Sequence, residues 1–180
     1  MQNEVIIAGF GGQGVLFGGQ VIAYAAMDAG KEVTWIPSYG PEMRGGTANC
    51  TVVIADEEIG SPLVENPRLA VALNLPSFDK YEESLQQGGT LIVNKSMVDR
   101  AAKRDDIRVV FVPCTEIAEE LGDRRLLNMV AVGALLAVLP ELSVADVEKA
   151  LAAHLPARHK ELLSKNIEAL KRGFAAAHAQ

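Results

Sequence analysis

The feature that most constrains this chain is a glycine turn set between an apolar run and a helical segment. Val5-Ile6-Ile7-Ala8 leads into Gly9-Phe10-Gly11-Gly12-Gln13-Gly14, and residues 15–29 follow with apolar residues at helical spacing. Gly9, Gly11 and Gly14 fill the three glycine positions of a G-x-G-x-x-G pattern, in the strand–turn–helix context that gives such a match meaning. Glycine lets the backbone turn sharply. It also lets an anion approach the free N–H groups at a helix start.

The rest of the chain alternates strand-like and helix-like stretches. Strands are expected at residues 32–36, ending at Pro37, and at 48–55, 69–73, 90–93 and 108–112. Helices are expected at 77–87, closed by Gly88-Gly89, and at 124–139 and 160–178. Ser96 with Asp99, and Ser143 with Asp146, carry a hydroxyl followed three residues later by a carboxylate, a helix-start signature. Thr115 reads as the cap of a further short helix. Several strands are apolar without alternation, as in a sheet covered on both faces. The fold class is therefore three-layer α/β/α with a mostly parallel sheet and a Rossmann-like first βα unit, in a single domain over residues 1–180. Strand two passes to strand three without a helix, which suggests a local antiparallel pair or a displaced edge.

Composition removes several function classes. A net charge of −6 offers no basic face for nucleic acid. The longest apolar run, residues 126–139, is interrupted by Asn128 and is shorter than the roughly 20 residues of a membrane span, so it reads as a buried helix. The opening residues, strand-like from the start, are not expected to form a signal segment. Cys50 and Cys114 stand far apart, which suits a reducing, cytoplasmic setting and supplies neither a zinc nor an iron–sulfur ligand set. His154, His159 and His178 all lie in the C-terminal helical region, and no nucleophile–base arrangement suggests itself.

Two loops carry the functional signal. A dinucleotide fold should place an acid at the end of strand two to hold a ribose hydroxyl, but Trp35-Ile36-Pro37-Ser38 stands there. The glycine loop then reads either as an anion seat or as a turn whose glycines serve packing alone. The second loop is Ser38-Tyr39-Gly40-Pro41-Glu42-Met43-Arg44-Gly45-Gly46-Thr47-Ala48-Asn49, denser in functional side chains than a connection needs. Arg44 before Gly45-Gly46-Thr47 sets a guanidinium beside flexible N–H groups and a hydroxyl, as an anion would require. The plainer reading is a solvated loop in which Glu42 and Arg44 pair with each other. In a parallel sheet the loops after strands one and two share an edge, so the two could meet in one crevice. Asn128, alone in an apolar helix, is expected to be a hydrogen-bonded core or interface group, and Cys50 a small buried hydrophobe.

These loops also carry a resemblance. Ile7 to Gly14, together with Pro37-Ser38-Tyr39-Gly40-Pro41-Glu42-Met43-Arg44-Gly45-Gly46-Thr47-Ala48-Asn49-Cys50, closely resembles the gamma subunit of the 2-oxoacid:ferredoxin oxidoreductases, with a fold like domain III of pyruvate-ferredoxin oxidoreductase. Ile59-Gly60-Ser61-Pro62 and Leu91-Ile92-Val93-Asn94 look like that family too. The wording of the second loop is most similar to the 2-oxoglutarate branch, with branched-chain 2-oxoacid, pyruvate and indolepyruvate enzymes as alternatives. The resemblance implies a subunit of a complex that oxidatively decarboxylates a 2-oxoacid, forms an acyl-CoA and reduces ferredoxin, and an isolated chain without activity. It implies alpha and beta subunits and a ferredoxin-like delta subunit as partners, with thiamine diphosphate and iron–sulfur clusters on those chains. It places coenzyme A at this chain, with Gly11, Gly12, Gln13 and Gly14 on one wall of a coenzyme A or subunit-facing crevice. Tyr39, Glu42, Met43, Arg44, Gly45, Gly46, Thr47 and Asn49 form the other wall. A self-contained NAD reductase and a non-catalytic nucleotide-binding module remain as other readings, and homodimerisation of the isolated chain stays open.

Overall fold

The computed structural model describes residues 2–40 and 46–180, with the side chain of residue 158 outside the description. Six strands form one sheet in the order β2-β3-β1-β4-β5-β6. These are β1 (Gln2–Phe10), β2 (Glu32–Tyr39), β3 (Thr47–Ala55), β4 (Leu69–Ala72), β5 (Thr90–Asn94) and β6 (Arg108–Val112). β1, β4, β5 and β6 run parallel, while β3 lies antiparallel to both β1 and β2. The expected antiparallel element is thus β3, set between β1 and β2. The fold is three-layer α/β, as its alternating elements predicted.

Side chains alternate between the two faces of a strand, and the core divides accordingly. Val5 and Ile7 of β1 join Val71, Ile92 and Val110 in the larger cluster, covered by α1 (Val15–Asp28), α4 (Leu127–Leu136), α5 (Val144–His154) and α6 (Leu163–His178). Ile6 and Ala8 join Ala70, Ala72, Leu91 and Val93 in the smaller one, covered by α2 (Leu75–Ser84). α4 is buried at every residue, which explains its lack of an apolar stripe: no side of it meets water. It packs on α6 at very close range. Gly133 and Gly173 sit where a Cβ would overlap Leu170 O and Val130 O of the facing helix.

Several boundaries differ from the sequence expectation. β2 continues through Pro37 to Tyr39. It is an edge strand, where a residue without an N–H is tolerated. Ser96 opens no helix. A 3-10 turn, Lys95–Met97, is followed by extended Val98, because the next segment is tied to α2. Buried Glu82 accepts hydrogen bonds from Arg100 Nη2 at 2.7 Å and from the backbone N–H groups of Lys103 and Arg104. Thr115 lies inside α3 (Cys114–Glu120), whose cap position is Pro113, and its hydroxyl is taken by Asn94. The apolar segment at 124–139 begins with a 3-10 turn, Arg124–Leu126, and its α-helix ends at Leu136. The last helix likewise starts at Leu163, after the 3-10 segment Ala157–Leu162. The Ser143–Asp146 capping box forms as expected, with both reciprocal bonds present.

Candidate functional site

The glycine loop leaves β1 at the point where the sheet reverses its winding. The helix after β1 lies on one face and the helix after neighbouring β4 on the other. In open α/β sheets this is where ligands usually enter. Here Gln13 bridges the strand ends. Its Oε1 accepts from Phe10 N–H at 2.6 Å, and its Nε2 donates to Leu73 O at 3.2 Å. Asn74 Nδ2 donates to the same Oε1 at 3.3 Å, while Asn74 Oδ1 caps α2 by accepting from Ser77 N–H at 2.9 Å. Asn94 continues the row, donating to Thr115 Oγ1 at 3.0 Å and accepting from Thr115 N–H at 3.4 Å. Three carboxamides thus satisfy the strand ends from β1 across to α3. Such a network, part-buried at Gln13 and buried at Asn74 and Asn94, holds the sheet edge in one arrangement.

The glycines divide by role. At Gly9 an added Cβ would stand 2.6 Å from Gln13 Oε1, so this glycine makes room for the amide. Gly14 has φ 73°, in the left-handed region, and a Cβ there would overlap the amide of Asn128, which donates to Gly14 O at 3.2 Å. Asn128 is therefore a hydrogen-bonded core group, as its place in an apolar helix suggested. Gly12, with φ 97°, has open space around its Cβ position. It is exposed at the mouth of the loop.

The two loops meet. Gly11 N–H donates to Gly46 O at 2.9 Å, and Gly40 N–H donates to Thr47 O at 2.7 Å. The ladder pairs Phe10 with Thr47 and Tyr39 with Ala48, so the carboxyl ends of β1 and β2 and the start of β3 share one edge. Tyr39 is 68% exposed. Strand register sets it on the face of Trp35, and Asn49 on the opposite one. Of the candidate residues, Gly11, Gly12, Gln13, Gly14, Gly46 and Thr47 come together, and Tyr39 and Asn49 flank them on different faces. Glu42, Met43, Arg44 and Gly45 lie outside the described residues.

Behind Gly12 and Gly14 opens a cavity of about 280 Å³, lined on its far side by Phe17, Arg125, Asn128, Leu155, His159 and Asn166. No spacing in the sequence joins these residues to the glycine loop. Only the lone Asn128 in its apolar helix offered a signal. Arg125 pairs with Asp123 at 2.7 Å. Its hydrogen bonds hold the Asp123 carboxyl down at about 2. Cys50 and Cys114 are free and buried; burial pushes their thiols up to about 11 and about 12. Neither is poised as a nucleophile. Among the described residues, no group of three His, Cys, Asp or Glu side chains could hold a metal ion.

This arrangement defines an α/β module with an exposed two-loop edge at the carboxyl ends of β1 and β2. Residues 4–176 match the pyruvate ferredoxin/flavodoxin oxidoreductase family, and the chain belongs to it. It is 39% identical over 180 residues to the 2-oxoglutarate synthase subunit KorC of Methanothermobacter marburgensis, covering 96% of this chain and 95% of that one. Against the ketoisovalerate oxidoreductase subunit VorA of the same organism it is 43% identical over 135 residues, 75% of this chain. That match spans only 28% of VorA. Among solved structures, the gamma subunit of a keto/oxoacid ferredoxin oxidoreductase from Geobacter sulfurreducens superimposes with a TM-score of 0.85 and 29% identity, over 99% of both chains. The 2-oxoglutarate:ferredoxin oxidoreductase from Magnetococcus marinus, with 2-oxoglutarate, coenzyme A and succinyl-CoA bound, shares the fold. Its TM-score is 0.90 at 24% identity, over 99% of this chain and 31% of that one.

Proposed function

We propose that the chain is the gamma subunit of a 2-oxoacid:ferredoxin oxidoreductase, with 2-oxoglutarate as the 2-oxoacid, and that it serves CoA-dependent oxidative decarboxylation without catalysing it alone. The observation that carries this reading is the end-to-end similarity to the 2-oxoglutarate synthase subunit, over 96% of this chain and 95% of that one. Thiamine diphosphate and the iron–sulfur clusters belong, in this reading, to alpha, beta and delta partner chains, with ferredoxin as the electron acceptor. The complex works in the cytoplasm. No described helix is long and apolar enough to cross a membrane.

Coenzyme A, when bound, supplies the thiol that takes the acyl group. The two-loop edge suits the phosphate end of such a ligand. Gly12 offers backbone with no side chain in the way, beside the start of α1, whose first-turn N–H groups lack helical acceptors. Gln13 contributes through its backbone, since its amide is spent inside the sheet edge. Arg44, Tyr39, Glu42, Met43, Gly45, Gly46, Thr47 and Asn49 complete the crevice in this proposal. In the assembled enzyme, Gly12→Asp, which sets a negative charge at the mouth of the loop, is expected to raise the KM for coenzyme A at least tenfold. The KM for the 2-oxoacid should stay unchanged. Arg44→Ala should act in the same direction. Unchanged KM values for coenzyme A in both variants would remove the ligand from these loops.

A further inference from the structure

We infer that Asn74 is the positioning residue of the glycine loop, setting the shape in which residues 9–14 meet coenzyme A, an inference that rests on the coenzyme A reading above. Asn74 lies two residues past the end of β4, where the chain turns into α2, and is only 1% exposed. Sixty-one positions of sequence separate it from Gln13.

Each amide in this group can point only one way. Asn74 meets Ser77 N–H at 2.9 Å. Only an acceptor can meet an N–H, so Oδ1 is the capping atom and Nδ2 faces the other side. On that side stands Gln13, 3.3 Å away. Because Asn74 brings a donor, Gln13 must present its oxygen, which is also what Phe10 N–H requires at 2.6 Å. Gln13 Nε2 is thereby left for Leu73 O at 3.2 Å. Leu73 is itself held: its N–H donates to Ala8 O at 2.9 Å, and its carbonyl also accepts from Asn94 Nδ2 at 3.4 Å. The start of α2 thus fixes the orientation of an amide that belongs to the loop after β1.

That orientation shapes the loop. Phe10 and Gln13 exchange hydrogen bonds, with Gln13 N–H donating to Phe10 O at 3.1 Å and Phe10 N–H donating to Gln13 Oε1. The clasp closes the turn around Gly11 and Gly12. It sends Gly11 N–H to Gly46 O in the second loop and leaves Gly12 exposed at the mouth. A loop already held in its binding shape loses little conformational freedom when a ligand arrives. Capping α2 needs only an acceptor at position 74, and Ser, Thr or Asp would serve as well. The carboxamide adds the donor, and the donor is what reaches the loop.

Asn74→Asp separates the two roles. A carboxylate caps a helix as well as a carboxamide does, but here it sets an oxygen against Gln13 Oε1 in place of the donor. In the assembled enzyme this variant should raise the KM for coenzyme A roughly fivefold, the fold-change that corresponds to one ordinary hydrogen bond. The kcat and the KM for the 2-oxoacid should stay at their wild-type values. Gln13→Glu, which keeps the acceptor for Phe10 N–H and turns an oxygen on Leu73 O, should act in the same way. Nuclear magnetic resonance of the chain on its own reads a signature that capping would not move. In the wild type, a coupling through the hydrogen bond should link Phe10 N to the side-chain carbonyl carbon of Gln13. It should weaken in Asn74→Asp near neutral pH and recover in acid, where the protonated carboxyl can donate to Gln13. Wild-type KM values for coenzyme A in both variants, while Gly12→Asp raises its own, would overturn the positioning role and leave the coenzyme A reading standing. Wild-type values in all three would remove coenzyme A from the loop, and this inference with it. A fall in kcat at unchanged KM, or no such coupling in the wild-type chain, would reduce Asn74 to a helix cap.

Discussion

The side-chain amide of Gln13 bridges β1 and β4 by donating to Leu73 O at 3.2 Å while accepting from Phe10 N–H at 2.6 Å. It ties the end of β1 to the residue after β4, where the sheet reverses its winding. Gln13→Ala would leave the part-buried Phe10 N–H without its partner, and losing such a hydrogen bond costs about 0.5–1.5 kcal/mol. A urea titration of the isolated chain should show that loss. NADH added to the wild-type chain should give no binding signal, because no acid stands at the end of β2 to hold a ribose hydroxyl.

The reciprocal glycines Gly133 and Gly173 set the distance between α4 and α6. Ala at either position places a methyl against backbone oxygen of the facing helix, and backbone has no rotamer through which to escape. Overpacking of this kind typically costs about 1–3 kcal/mol, so the melting temperature should fall by several degrees in each variant. Gly12→Ala, with open space at its Cβ position, should lower it less, through backbone strain alone.

Much of the architecture is legible in the sequence. Capping at Ser143, the strand–turn–helix start and the covered apolar strands are local patterns, and each formed. The meeting of Gly11 with Gly46 followed from topology, since loops after parallel strands share an edge. What local pattern could not show was competition from distant partners. Ser96 carried a helix-start signature, yet Glu82 pulls the next segment onto α2. Thr115 looked like a cap, yet Asn94 claims its hydroxyl. Pro37 looked like a strand end, yet its strand lies at the edge of the sheet. The cavity behind Gly14 needed residues from α1, α4, α6 and the segments between them, which no spacing in the chain connects.

Glu82 makes part of the stability depend on acid. Burial alone would raise its carboxyl, but hydrogen bonds from Arg100 and from the N–H groups of Lys103 and Arg104 outweigh burial and hold it below the ordinary value of 4.5. A depressed carboxyl stabilises the fold fully above that value, and the contribution disappears as pH falls through the lower, folded value. Stability should therefore decline below about pH 4.5. Glu82→Gln should be less stable near neutrality and show a flatter acid limb, as followed by thermal melts across pH.

The two thiols should be silent in the native protein. Burial raises Cys50 to about 11 and Cys114 to about 12, so little thiolate exists near neutral pH and neither sulfur is accessible. Iodoacetamide near neutral pH should label neither cysteine in the folded chain and both in denaturant, as read by intact mass.

The most direct measurement of the central claim is an anaerobic purification through a tag on this chain, assayed for reduction of ferredoxin with 2-oxoglutarate and coenzyme A. The account predicts CoA-dependent activity in the captured complex, a thiamine-binding partner chain beside this one, and no activity from the chain alone. Turnover of a nicotinamide cofactor by the isolated chain, or a captured complex without 2-oxoacid oxidation, would contradict it.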